Sequence, residues 1–83
     1  MRVAVRYFAS LREALGSGES VDVAAGTSVG SLRDQLIARG DRYADVLARG
    51  RAVRCALDQT MCDESGALKD GAEVAFFPPV TGG

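Results

Sequence analysis

The chain has 83 residues, 47% of them hydrophobic and 25% charged, with a formal net charge of −1. A chain of that length makes one domain, burying only about 60% of its unfolded surface. The absence of histidine excludes Ser-His-Asp and Cys-His catalysis as well as Cys/His zinc sites.

The elements follow in chain order. Residues 2–8 alternate, with Val3, Val5 and Tyr7 on one face and Arg2, Ala4, Arg6 and Phe8 on the other, which predicts a strand. Ser10-Leu11-Arg12-Glu13 fits a capping box, so a short helix is expected from Leu11 to about Leu15, with Ser10 as its N-cap. Gly16-Ser17-Gly18 is a turn, and Ser20–Val23 alternates again as the hairpin partner of the first strand. Gly26-Thr27-Ser28 breaks that strand and caps the main helix, whose apolar stripe is Val29, Leu32, Leu36 and Ile37. Gly40 ends this helix. Asp41 is expected to cap a shorter one, with Tyr43, Val46 and Leu47 on one side and Gly50 as its stop. Val53–Leu57 reads as a strand, Asp58-Gln59 as a two-residue turn and Thr60–Cys62 as the returning strand. A loop at Asp63–Gly66 and a turn at Lys69-Asp70-Gly71 precede a last strand, Glu73–Phe77.

The order ββ-α-ββ-β around one central helix predicts an α+β fold: a mixed sheet packed on one main helix, with short extra helices. Strand parity adds a prediction about its two faces. If Val3, Val5 and Tyr7 face the helix, so do Val21, Val23, Val53, Cys55, Leu57, Val74 and Phe76. Ala4, Phe8, Ala56, Ala75 and Phe77 then lie on the outer face, where small apolar residues and two phenylalanines predict a docking surface. The turn at Asp58-Gln59 pairs Leu57 with Thr60, and therefore Cys55 with Cys62, on the core face. Two cysteines are too few for a disulfide framework, and a free buried cysteine packs as a small hydrophobe. Arg6, Arg12, Arg39, Lys69 and the acidic residues are expected at the solvated surface.

The rest of the chain is poor in chemistry. Lys69 is the sole lysine, which disfavours a Schiff-base enzyme, and there is no Gly-rich phosphate loop. Arginines interspersed with acids do not make a nucleic-acid surface. No signal-peptide pattern and no apolar run of membrane-spanning length occurs, so a cytoplasmic protein with no nucleic-acid or membrane partner and no metal is expected. What remains is the segment after Phe77. Pro78 and Pro79 are stiff and pre-extended, Thr81 is β-branched, and Gly82 and Gly83 let another backbone approach closely. Fully extended, residues 78–83 reach roughly 20 Å. The expected organisation is a domain over 1–77 and an extended C-terminal Gly-Gly arm over 78–83, with the carboxyl of Gly83 as the reacting group. A carboxylate is inert as an electrophile, so an ATP-using partner would have to activate it.

Residues 71–83, Gly-Ala-Glu-Val-Ala-Phe-Phe-Pro-Pro-Val-Thr-Gly-Gly, resemble the C-terminus of the molybdopterin synthase small subunits, the MoaD-type sulfur carriers. Phe8 to Glu13, Val29 to Leu36 and Ala56 to Thr60 resemble that family's first helix, main helix and hairpin. Asp58 departs from the Asn expected at its position. The resemblance implies a β-grasp, ubiquitin-like fold. It implies that Gly83 is adenylated by an E1-like adenylating enzyme using ATP and converted to a thiocarboxylate by a sulfur donor protein. The large subunit would then receive the arm, and its own side chains would transfer the sulfur to cyclic pyranopterin monophosphate within a heterotetramer. No cofactor bound to this chain is implied. Carried over by position, Phe77 anchors the base of the arm, Pro78, Pro79, Val80, Thr81 and Gly82 are inserted with it, and Phe8 and Ala75 belong to the partner surface. Two alternatives remain: a sulfur carrier for thiamin or tRNA thiolation, and a ubiquitin-like modifier or interaction module that carries no sulfur.

Overall fold

The computed structural model describes residues 1–79. Among these, the strands are β1 (Arg2–Tyr7), β2 (Gly18–Asp22), β3 (Arg54–Leu57), β4 (Thr60–Cys62) and β5 (Glu73–Phe77), and the helices are α1 (Ala9–Leu15), α2 (Val29–Ile37) and α3 (Asp41–Leu47). The strands form one mixed sheet in the order β2-β1-β5-β3-β4. β1 and β5 run parallel at its centre, with Val5 opposite Val74 and Tyr7 opposite Phe76. β2 pairs antiparallel with β1 on one side, β3 pairs antiparallel with β5 on the other, and β4 pairs antiparallel with β3 at the edge. This is the expected α+β, β-grasp arrangement. No helix among the described residues is long and apolar enough to cross a membrane.

The face assignment from strand alternation agrees with the burial. Val3, Val5, Tyr7, Val21, Val23, Cys55, Val74 and Phe76 are buried against Val29, Leu32 and Leu36 of α2 and Leu47 of α3, while Val53 and Leu57 pack partly buried at the margin. Burying a Leu- or Phe-sized side chain contributes about 1.5–3 kcal/mol, and this layer is what holds the sheet to the helices. Ser28 caps α2 as expected, its Oγ accepting the Ser31 N–H at 3.1 Å. The regular helix stops at Ile37. Tighter bonds from Arg39 N–H to Leu36 O and from Gly40 N–H to Ile37 O carry the chain on to Gly40, where φ is 79°.

Four local expectations are corrected. Ser10 does not cap α1: the helix begins at Ala9 with Phe8 in the cap position and no side-chain cap. Phe8 still donates its N–H to Phe76 O, extending the β1–β5 pairing, while its carbonyl already accepts from Leu11 N–H. Strand and helix thus meet with no free residue between them, and Ala9 absorbs the bend at φ 53°. Asp41 is the first residue of α3, not its cap, which is Gly40. β2 begins at Gly18, because Arg6 pairs directly with it. Arg39 is exposed as expected, but the acidic residues are not all simply solvated: Glu19 is partly buried and accepts at 2.6 Å from Arg39, whose guanidinium lies 5.0 Å over the Tyr43 ring.

Arg33 has no counterpart in the sequence reading. Only 4% exposed, it donates to Leu47 O and Ala48 O, both at 2.7 Å, to Arg51 O at 3.2 Å and to Glu64 Oε2 at 2.9 Å. Charge and hydrogen bonds together permit its burial. It fastens the segment after α3 to the main helix. Arg49 joins the same cluster through Asp34, Glu64 and the Gly30 carbonyl.

Candidate functional site

The site builds from β5. Both of its edges are hydrogen-bonded, to β1 and to β3, so the direction in which the chain leaves at Phe77 is set by two neighbours. Phe8 N–H adds a bond to Phe76 O at 3.2 Å. Pro78 and Pro79 follow, partly buried, and fix φ for the first steps beyond the sheet. Such a preordered base lowers the ordering cost when the following segment is bound. Val80, Thr81, Gly82 and Gly83 lie outside the described residues.

Around that exit the outer face has a definite composition. One register row crosses every strand, from Gly18 through Arg6, Ala75 and Ala56 to Met61. In the next row Phe77 stands opposite Arg54. Alanines make the centre low, and larger side chains surround it: Phe8 is 43% and Met61 59% exposed, and Phe77 is partly buried. Arg6 and Arg54 are exposed and form no ion pair among the described residues. A flat apolar centre with a polar rim is what a protein partner covers. The structure thus brings Phe8, Ala75 and Phe77 together on one face, with Pro78 and Pro79 leading away from it. Met61 is the residue that the sequence reading left out. The pairing of Leu57 with Thr60 already placed it opposite Ala56 on the outer face, so the signal was present in the hairpin register.

The core face carries different groups. Tyr7 and Tyr43 both donate to Glu19 Oε2, at 3.0 and 2.8 Å. Burial alone would raise the Glu19 carboxyl, but hydrogen bonds from Arg39, Tyr43 and Tyr7 outweigh it and hold the group below its usual range. Burial first, and then the charge and hydrogen bond of Glu19, push the Tyr7 hydroxyl far up. These groups knit β1, β2 and α3 together and stand on the side of the sheet away from the Phe77 face. A shallow concavity of about 640 Å³ between α1 and the α2–α3 corner, lined by Ala14, Arg39, Arg42 and Tyr43 among others, shares no residue with the Phe77 face. Cys55 and Cys62 are paired across β3 and β4 as the turn predicted, and both are free thiols.

The ThiS family matches residues 5–83. The chain belongs to the ThiS family. It is 41% identical over 81 residues to the molybdopterin synthase sulfur carrier subunit of Escherichia coli, covering 98% of this chain and 99% of that protein. The fold is similar to the crystal structure of the small archaeal modifier protein 1 of H. volcanii, with a TM-score of 0.79, 26% identity and coverage of 95% and 98% of the two chains. It is also similar to a chain in the complex of subunits 1 and 2 of the molybdopterin-converting factor from Helicobacter pylori, with a TM-score of 0.71, 25% identity and full coverage of both chains.

Proposed function

We propose that this chain is the sulfur-carrier subunit of a molybdopterin synthase. The observation that carries the reading is the 41% identity to a molybdopterin synthase sulfur carrier subunit over 98% of the chain, and the family match runs to residue 83. The sheet supports it by presenting an apolar face directly beside the start of the 78–83 arm.

In this reading the domain, residues 1–77, docks and the arm reacts. An E1-like adenylating enzyme joins the Gly83 carboxylate to the α-phosphoryl group of ATP, releasing pyrophosphate. A sulfur donor protein then supplies sulfur to the acyl carbon, AMP leaves, and a thiocarboxylate remains. Pro78 to Gly82 thread this group into the large subunit. There it gives its sulfur to cyclic pyranopterin monophosphate, and two such transfers complete the dithiolene. Phe8, Ala75, Phe77 and Met61 are the surface that seats the carrier on its partners. The reacting carbon belongs to the main chain, so this chain needs no catalytic side chain of its own.

The test is intact-mass analysis of the chain produced in cells that hold the activating enzyme and sulfur donor. One oxygen should be replaced by sulfur, and fragmentation should place the change at Gly83. The large subunit should co-purify. Absence of the sulfur-bearing species under those conditions would overturn the reading. The likeness to an archaeal modifier protein favours a second reading, attachment of the chain to lysines of other proteins. It would appear in the same experiment as high-mass conjugates in place of the thiocarboxylate.

A further inference from the structure

Cys55 and Cys62 face each other across the β3–β4 hairpin. Opposed residues of an antiparallel pair have Cα atoms about 4.5–5.5 Å apart, within the range of about 4.4–6.8 Å that a disulfide spans. The Sγ atoms stand 3.7 Å apart. Closing that gap to a bond of about 2.0 Å requires side-chain rotation and no change of strand register. The turn at Asp58 and Gln59, both with positive φ, holds the partners opposed beforehand, so little further chain entropy is lost on closure. The two thiols differ in access: Cys55 is 5% exposed and Cys62 is partly exposed.

We propose that Cys55 and Cys62 form an oxidative modification site that reacts with a low-molecular-weight disulfide, such as glutathione disulfide, and closes to an internal disulfide. Cys62 is the entry point because it reaches solvent. It releases its proton and attacks one sulfur of the reagent. The reagent's S–S bond breaks, a mixed disulfide forms at Cys62, and one small thiol leaves. Cys55 then releases its proton and attacks the Cys62 Sγ beside it. The mixed bond breaks, the Cys55–Cys62 bond forms, and the second small thiol leaves. Two protein thiols are oxidised and one reagent disulfide is reduced to two thiols. Burial, and then the hydrogen bond with Cys62, push the Cys55 thiol up to about 12, so Cys55 is the poorer first nucleophile and Cys62 meets the reagent first. A reducing interior returns the pair to thiols. Closure ties the edge strand β4 to β3, which lies directly against β5 at Phe76.

The experiment treats the full chain with glutathione disulfide, alkylates at intervals with iodoacetamide, and reads intact mass. The expected course is a transient single glutathione adduct, then a monomer lighter by two hydrogens that resists alkylation and reverts with dithiothreitol. In glutathione buffers the oxidised-to-reduced ratio should follow the disulfide concentration divided by the square of the thiol concentration, the signature of an internal bond. Cys55→Ala should stop at the adduct. Cys62→Ser, shown folded by circular dichroism, should keep Cys55 unmodified. A wild-type chain that takes two adducts, cross-links into dimers, or stays a dithiol where a free small dithiol oxidises would overturn the proposal. So would an adduct on Cys55 in folded Cys62→Ser.

Discussion

Replacing Arg33 by Met tests whether one buried cation holds the α3–β3 segment in place. Met keeps a long apolar stem in the same space and removes the guanidinium. The wild-type head donates to the Leu47, Ala48 and Arg51 carbonyls and to Glu64. Bonds from a charged donor contribute about 1.5–3 kcal/mol each, but they do not add here. Ala48 is partly exposed and Arg51 exposed, so their carbonyls recover water. Glu64 is about a third exposed and keeps Arg49, so its loss is screened. The Leu47 carbonyl, on a fully buried residue, carries most of the penalty. Removing the guanidinium also removes the cost of desolvating it. The balance is a loss of about 2–3 kcal/mol, equivalent to a Tm lower by roughly 10–20 °C for a domain this small. Urea unfolding of both proteins would measure it, with hydrogen exchange over residues 47–53 reporting where protection is lost. A loss below about 1 kcal/mol would refute the reasoning, since burial of the cation would then cost as much as its bonds contribute.

Glu19→Gln should lower stability at neutral pH and shallow the acid limb of the stability curve. The folded carboxyl lies below its ordinary 4.5, so its contribution is complete above that pH and declines as pH falls further; urea midpoints from pH 7 downward would show an unchanged acid limb if the contacts to Tyr7, Arg39 and Tyr43 were inert. Gly18→Ala should destabilise by about 2 kcal/mol or more, because the added Cβ would lie 2.4 Å from Val5 O at a φ of 158°; thermal melting matching wild type would contradict the close β1–β2 approach. Met61→Ser should leave stability within about 0.5 kcal/mol yet weaken capture of the large subunit about tenfold, a loss of roughly 1.4 kcal/mol. Binding equal to wild type would remove Met61 from the partner face.

The parts of this protein that were legible in the chain are those governed by short-range order. Alternation assigned Val3, Val5, Tyr7, Val74 and Phe76 to the buried face, because successive strand residues point to opposite sides whatever the sheet order. The two-residue turn at Asp58-Gln59 set the Cys55–Cys62 pairing through register alone. Ser28 capped α2 because its hydroxyl needs only the amide of Ser31, three residues on. Ser10 failed as a cap for a tertiary reason: β1 stays paired with β5 through Phe8, a strand separated from it by most of the chain, and this pairing sets where α1 starts. Arg33 was unreadable for the same cause, since the carbonyls of Leu47, Ala48 and Arg51 converge on it only after α3 folds back. The outer face shows the division most plainly. Sequence alone determined that Phe8, Ala75 and Phe77 lie on one side of their strands. Only the tertiary order β2-β1-β5-β3-β4 decided that they share one face where the chain leaves β5, with Met61 in the same register row as Ala75, because strand adjacency arises from long-range pairing that no local pattern encodes.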